Sequence, residues 1–330
     1  MVEGDGQRPK EGFVRSKVVG LVGLLSLSGG LWLGGCEGAG RAITPGGSAP
    51  IERATQHPPA YAEVAKGYNA RVRRLEALRA SADVVLDTID DSGKPKSHQA
   101  EASLQFLRPH KVSLKISKVS NEIFLLGANG ESYWWLDLSG DEKVALVGTV
   151  SKATRESGQA FGVPVHPLDF VELLGIQPLP EAMAGGAAPA TRGVVRWTTD
   201  GRSVAVTMPA REGFKRLILD PSDYTPRRIE LLDDVFRTVV SATHEKYQRV
   251  NVVGDAGAGA WMPSRIAIEV PANKARLDLT LFNIVNPGES KIKPMVFDMQ
   301  GLIRDRDIQR VISLDERGVR RAASAPGGPR

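Results

Sequence analysis

One cysteine, Cys36, stands in 330 residues. No disulfide can form within the chain, and no cysteine-rich metal cluster is available to it. Histidine is scarce too: His57, His98, His110, His166 and His244 are scattered, and His244-Glu245 lacks the second histidine of an H-E-x-x-H site. They read as surface histidines. No G-x-S-x-G marks a nucleophile elbow. Gly254-Asp255-Ala256-Gly257-Ala258-Gly259 is glycine-rich, but predicted strands flank it, with no helix N-terminus to meet a phosphate, so it reads as a hairpin loop. Asp90-Asp91 and Asp233-Asp234 fall at predicted turns, where aspartate serves the local backbone. These absences argue against an enzyme and imply neither metal nor cofactor.

A strong excess of charge of one sign is also missing. Net charge is +5, but the first 35 residues hold four Lys/Arg against three acids, and the tail from Asp315 holds four arginines against two. The folded body is left near +2 by that count. No basic patch argues for nucleic acid.

What is present begins with an export signal. Arg8, Lys10, Arg15 and Lys17 precede an apolar, Gly- and Ser-rich segment, Val18–Leu33, which is short and glycine-broken for a spanning helix. It ends in Leu33-Gly34-Gly35-Cys36, an aliphatic residue, two small ones and a cysteine. That order matches the bacterial lipobox, in which the cysteine thiol is lipidated. Residues 1–35 are therefore expected to be a lipoprotein signal peptide, with a membrane anchor on Cys36. Glu37 follows in place of the aspartate that often retains lipoproteins in the inner membrane of enteric bacteria, which favours the periplasmic face of the outer membrane. Residues 36–59 are poor in hydrophobic side chains and read as a tether.

Tyr61, Val64, Tyr68, Val72, Leu75 and Leu78 recur at helical spacing, with Arg71, Arg73, Arg74 and Arg79 on the opposite, solvated face. From there the period becomes two. Val112, Leu114 and Ile116 alternate with Lys111, Ser113, Lys115 and Ser117, and Arg108-Pro109, Val119-Ser120-Asn121 and Ala128-Asn129-Gly130 punctuate the run as turns do. The same alternation recurs at Val204, Val206 and Met208, at Ile266, Ile268 and Val270, and at Leu277, Leu279 and Leu281. In Tyr133-Trp134-Trp135, strand phase turns Trp134 away from its two neighbours. Charged residues on the other face point the convex side to water. One short apolar helix, Leu168–Leu174, follows Pro167, and Gln177–Ala190 reads as a mobile loop.

The expected fold is mainly β: an antiparallel sheet of about ten to twelve strands, curled into an unclosed half-barrel. Two short helices and a loop are too little to fill so broad a hollow, which implies a hydrophobic cavity capped by those helices. Strand phase points Leu104, Phe106, Val112, Leu114, Ile116, Trp135, Val204, Val206, Ile266, Ile268, Leu277 and Leu279 into it. The domain is expected over residues 60–312, with a disordered tail over 313–330.

The lipobox, the N-terminal amphipathic helix and the curled sheet together resemble the LolA/LolB superfamily of bacterial lipoprotein carriers. Leu104-Gln105-Phe106-Leu107-Arg108-Pro109 and Gly127-Ala128-Asn129-Gly130-Glu131-Ser132-Tyr133-Trp134-Trp135 are similar to that family's "RP" strand end and its following "G-x-x-x-W" strand. The resemblance implies a hollow that holds acyl chains of lipids or lipoproteins, under a lid formed here by Leu168, Phe170, Val171 and Leu174. It also implies a periplasmic carrier or another envelope protein as partner. Cys36 makes the chain more like the anchored acceptor LolB than the soluble carrier. Only Leu179 and Met183 offer themselves for LolB's membrane-inserting loop. The alternative is a structural or sensing lipoprotein that uses the same fold as an interaction surface.

The anchor is directly testable. In a bacterial host the chain should incorporate labelled palmitate, and Cys36→Ser should lose the label; equal labelling of the variant would remove the anchor.

Overall fold

The computed structural model describes residues 56–89, 92–155, 165–181, 193–252 and 260–315. Cys36, the signal segment, Asp90-Asp91, Met183 and the Gly254–Gly259 stretch lie outside them. Within the unit that spans Gly46–Arg330, the described residues form one antiparallel sheet with three helices laid on it.

Helix α1 is Tyr61–Val72, α2 is Pro167–Leu173 and α3 is Met299–Asp305. The first half of the sheet comprises β1 (Ala77–Ile89), β2 (Pro95–Leu107), β3 (Lys111–Lys118), β4 (Asn121–Asn129), β5 (Ser132–Asp137) and β6 (Val144–Thr149). The second half comprises β7 (Val194–Trp197), β8 (Val204–Pro209), β9 (Phe214–Leu219), β10 (Pro226–Leu232), β11 (Thr238–Val252), β12 (Ala260–Val270) and β13 (Ala275–Asn286). β14 (Arg310–Ser313) completes it. The order is β14-β6-β5-β4-β3-β2-β1-β13-β12-β11-β10-β9-β8-β7, so two meanders meet at the β1–β13 pair. The sheet curls but does not close: β7 and β14 are free edges, β14 joins in parallel along β6, and the ends of β11 and β13 also meet in parallel at Asn251-Val252 and Val285-Asn286.

The helical period that ran on to Leu78 breaks after Val72: Leu75 and Leu78 are buried against the sheet, and Leu78 already lies in β1. A short strand of alternating residues and a helix share spacings of four, so periodicity could not separate them. The convex side is not bare. Trp134, Leu125, Leu136 and Ala145 are covered by Leu302 and its neighbours on α3, a helix the sequence reading did not foresee. Lower on the same side, Ala77 and Leu107 pack under Ile292 and Phe297. Ser313–Asp315, placed in the tail by composition, belong to the fold. Ser313 pairs with Val147, Leu314 is buried, and Asp315 accepts hydrogen bonds from the Thr149 N–H and hydroxyl at 3.0 and 2.6 Å.

Two glycines let the Tyr133-Trp134-Trp135 strand seat itself. Gly127 lies opposite Trp134 and Gly148 opposite Tyr133. A Cβ on Gly127 would fall 2.5 Å from the indole, and one on Gly148 would fall 2.3 Å from the phenol ring. Each aromatic therefore lies flat over a residue with no side chain.

The β3–β4 hairpin closes through the two residues Val119-Ser120, both in the left-handed region (φ 49° and 66°), between paired Lys118 and Asn121. That backbone suits Asn-Gly; a branched valine pays a steric penalty there and, at 87% exposure, recovers nothing from packing. Val119→Asn with Ser120→Gly should raise stability by about 1 kcal/mol. An unchanged or lower thermal midpoint would contradict the turn assignment.

Candidate functional site

The concave face is continuous from one half of the sheet to the other. Phe106, Leu104 and Ala102 on β2 pair with Leu78, Ala80 and Ala82 on β1, and across the seam Val84 and Leu86 meet Leu279 and Leu277 on β13. Those two meet Ile266 and Ile268 on β12, which face His244 and Ala242 on β11; Ala242 meets Ile229, Ile229 meets Leu217, and Leu217 meets Val206. In the other direction Leu114 faces Leu126, which faces Trp135, which faces Leu146. Directly opposed residues share a face. All twelve residues predicted from strand phase therefore lie on one surface.

They do not form one cluster. Leu104, Phe106, Val112, Leu114, Trp135, Ile266, Ile268, Leu277 and Leu279 are buried together, with Ile116 at their margin. Val204 and Val206 belong to a second cluster, with Leu217, Leu219 and the Val64, Tyr68 and Val72 face of α1. The first cluster is covered by α2, whose Phe170 and Val171, with Leu174 at its C-cap, are buried in it while Leu168 packs at its edge. Among the described residues the centre of the hollow is thus occupied by the chain's own helix. Leu86, Ile116, Phe124 and Val144 touch the cluster but remain partly open, and their pairing places them towards the end that carries the β1–β2 and β3–β4 tips.

Polar contacts hold α2 in place. His166 caps its N-terminus, with Nδ1 accepting the Leu168 N–H at 3.2 Å, and Pro167 follows where its missing N–H costs nothing. Asp169 is buried between Arg211, at 3.1 Å, and Arg155, at 3.4 Å. Burial raises its carboxyl above the usual range although both arginines pull it down. Glu172 accepts a hydrogen bond from Lys215 at 2.5 Å. Lys215 is held above its ordinary value: burial opposes its charge, and Glu172 outweighs that. At the C-terminal end, His244 Nε2 lies 2.8 Å from the Leu173 carbonyl, and the Gly175 carbonyl accepts from Tyr68 Oη at 2.8 Å and from Arg71 at 2.5 Å.

Sequence reasoning missed most of these groups. Arg71 was placed on a solvated face, yet it is buried and also donates to the Trp261 carbonyl at 3.3 Å. His166 and His244 were read as surface histidines, and both are buried. His166 lies against the rings of Tyr133 and Trp135, with centroids 4.5 and 5.2 Å away, and Trp135 Nε1 donates to the Val165 carbonyl at 3.3 Å. A buried polar side chain that serves a distant backbone leaves no periodic trace. The one available hint was His166-Pro167, a cap residue directly before proline. Leu179, a candidate for a membrane loop, is buried, and its backbone is bonded to Asn69 in both directions, at 2.8 and 2.9 Å. Among the exposed large apolar side chains, Val119, Val235 and Phe236 sit on hairpin tips. No group of three or more His, Cys, Asp or Glu among the described residues could hold a metal, and no described helix is long and apolar enough to cross a membrane.

Burial lowers His166 to about 3 and His244 to about 4, with nearby arginines adding to both effects. An unfolded histidine titrates near 6.5, so below that value the unfolded chain takes up protons that the fold refuses. Stability should therefore fall as pH drops from about 6.5 towards 4, by up to about 1.4 kcal/mol per pH unit for each ring. Asp169 acts in the opposite direction below its raised value. His166→Asn keeps a cap acceptor without the titration. Thermal midpoints between pH 7 and 4.5 should fall less steeply in that variant than in the parent, and identical slopes would exclude His166 as a source.

No family model matches the chain, and no curated protein does. Among solved structures, the fold is similar to that of a domain assigned to outer membrane lipoprotein sorting from Vibrio parahaemolyticus, at 13% identity and a TM-score of 0.48, over 73% of this chain and 97% of that one. It is also similar to a LolA superfamily protein from Nitrosomonas europaea, at 12% identity and 0.44, over 73% and 99%. A DUF1329 family protein from Desulfovibrio piger gives 10% and 0.44, over 77% and 100%. The architecture itself is mainly β: one large curled sheet that stays open.

Proposed function

We propose that the protein is an envelope lipoprotein, anchored through Cys36, that takes acyl chains of lipids or lipoproteins onto the concave face of its sheet and passes them on without covalent change. The lipid anchor would hold it at the periplasmic face of the outer membrane, where a carrier or another envelope protein is its partner. α2 is the cover that a guest displaces. The observation that carries this reading is the make-up of the α2 contact: Phe170, Val171 and Leu174 fill the apolar cluster, while a rim of polar contacts aligns the helix above it.

Magnitudes make the exchange workable. Three large apolar side chains leaving the cluster cost roughly 1.5–3 kcal/mol each, and each acyl methylene that replaces them returns about 0.8 kcal/mol. A chain of about ten methylenes therefore offsets the loss. Leu86, Ile116, Phe124 and Val144, already partly open, mark where hydrocarbon would enter. No step in this scheme asks for a nucleophile, a metal or a cofactor.

The closed packing under α2 favours a second reading, a sensing or structural module whose concave face never opens. Mass spectrometry of lipids extracted from the purified chain separates the two. Binding predicts co-purified acyl species that are lost in Ile116→Arg, whose partly exposed site tolerates the guanidinium with little change in thermal midpoint. A preparation free of acyl species, with no uptake of added lipid, would leave the second reading standing.

A further inference from the structure

The contacts across the α2 interface are one-sided in charge. α2 and its C-terminal turn contribute acceptors: the Asp169 and Glu172 carboxylates and the carbonyls of Leu173 and Gly175. The surface beneath contributes donors: Arg71 and Tyr68 from α1, Arg155 after β6, Arg211 in the β8–β9 hairpin, Lys215 on β9 and His244 on β11. Within that set, only Glu212 stays with the four cations when α2 is taken away; it lies 3.1 Å from Arg211 and 3.8 Å from Arg155. An uncovered hollow would therefore hold a surplus of positive charge.

Lys215 stands where the two apolar clusters meet. It is opposed by Leu231 of the first on β10 and by Met208 of the second on β8, and only 11% of its side chain is exposed. Taking Glu172 away from it strands a cation beside hydrocarbon, which is costly unless another anion arrives. A neutral guest replaces the apolar half of α2 but not its charges. An acyl chain that ends in an anionic oxyacid replaces both.

From this asymmetry we infer that the guest is an acyl lipid with an anionic headgroup, carboxylate or phosphate, whose charge takes the place of Glu172 and Asp169 on Lys215, Arg211 and Arg155. The inference rests on the binding function proposed above and narrows it to a ligand class. The headgroup sits at the border of the two clusters, and the chain runs along the first, towards Ile116 and Phe124.

The test compares oleate, 1-oleoyl lysophosphatidate and the neutral 1-monooleoylglycerol on the full chain. The two anions should bind about tenfold or more tighter than the neutral lipid, a gap of about 1.4 kcal/mol or more, and their ratio tells carboxylate from phosphate. In the exchanged pair Lys215→Glu with Glu172→Lys, the cover stays clasped but its cation leaves with α2, so the preference for anions should shrink by about threefold or more while monooleoylglycerol still binds. If the exchange unfolds the chain, Lys215→Met with Glu172→Met provides the same comparison with a neutral pair. Equal affinities in the parent, or a preference undiminished in either variant, overturns the inference and leaves the hydrocarbon site intact. Failure of all three lipids to bind overturns the binding function itself.

Discussion

A carboxylate taken out of water is tolerated only where cations and donors come with it. Asp169 meets that condition between two arginines, and Glu172 meets it on Lys215. These pairs set where α2 lies, and α2 decides whether the concave face is wet or dry. An ion pair of this kind adds little net stability, because desolvation takes back most of the attraction. Its contribution is position. A seven-residue helix has too little surface to find one register by apolar contact alone, and the charged contacts supply the register.

The sheet beneath depends on strand phase. Alternation along each strand keeps one face apolar through the register of both meanders, and the curl brings β4 and β5 round towards β10, with α2 between them. Glycine opposite each of two large aromatics keeps the strands around β5 closely paired while their rings lie flat. α1 covers the face at β8 and β9 and also reaches the segment that follows α2, through bonds from Tyr68 and Arg71 to Gly175 and from Asn69 to Leu179. The two covers are thus linked to each other by hydrogen bonds as well as to the sheet. Displacement of α2 would break contacts to both.

Strong local periodicity is legible in the sequence itself. Lys111–Lys118, Ala275–Asn286 and the Val204–Met208 stretch alternate cleanly and are strands, and Pro167 marks the start of α2. Where periods overlap, legibility fails. Leu75 and Leu78 satisfy helical spacing but lie beyond the end of α1, because the turn at Arg73-Arg74 leaves no mark that composition can register. α3 went unseen for a related reason: seven residues with Leu302 as the main buried side chain make too weak a stripe to stand out.

The sequence by itself determined which side chains share a face, because a period of two is a property of the extended backbone and needs no partner. It determined the mainly β class, the curl that many strands impose, and the proline-started helix available to cover the hollow. Tertiary structure alone decided how that face is divided, with Val204 and Val206 under α1 and the other predicted residues under α2, since helix placement depends on contacts across the fold. It alone brought Arg71, Arg155, Arg211, Lys215 and His244 round a single short helix. Their separations along the chain carry no pattern, and charge complementarity acts through space, so only the folded chain could show it.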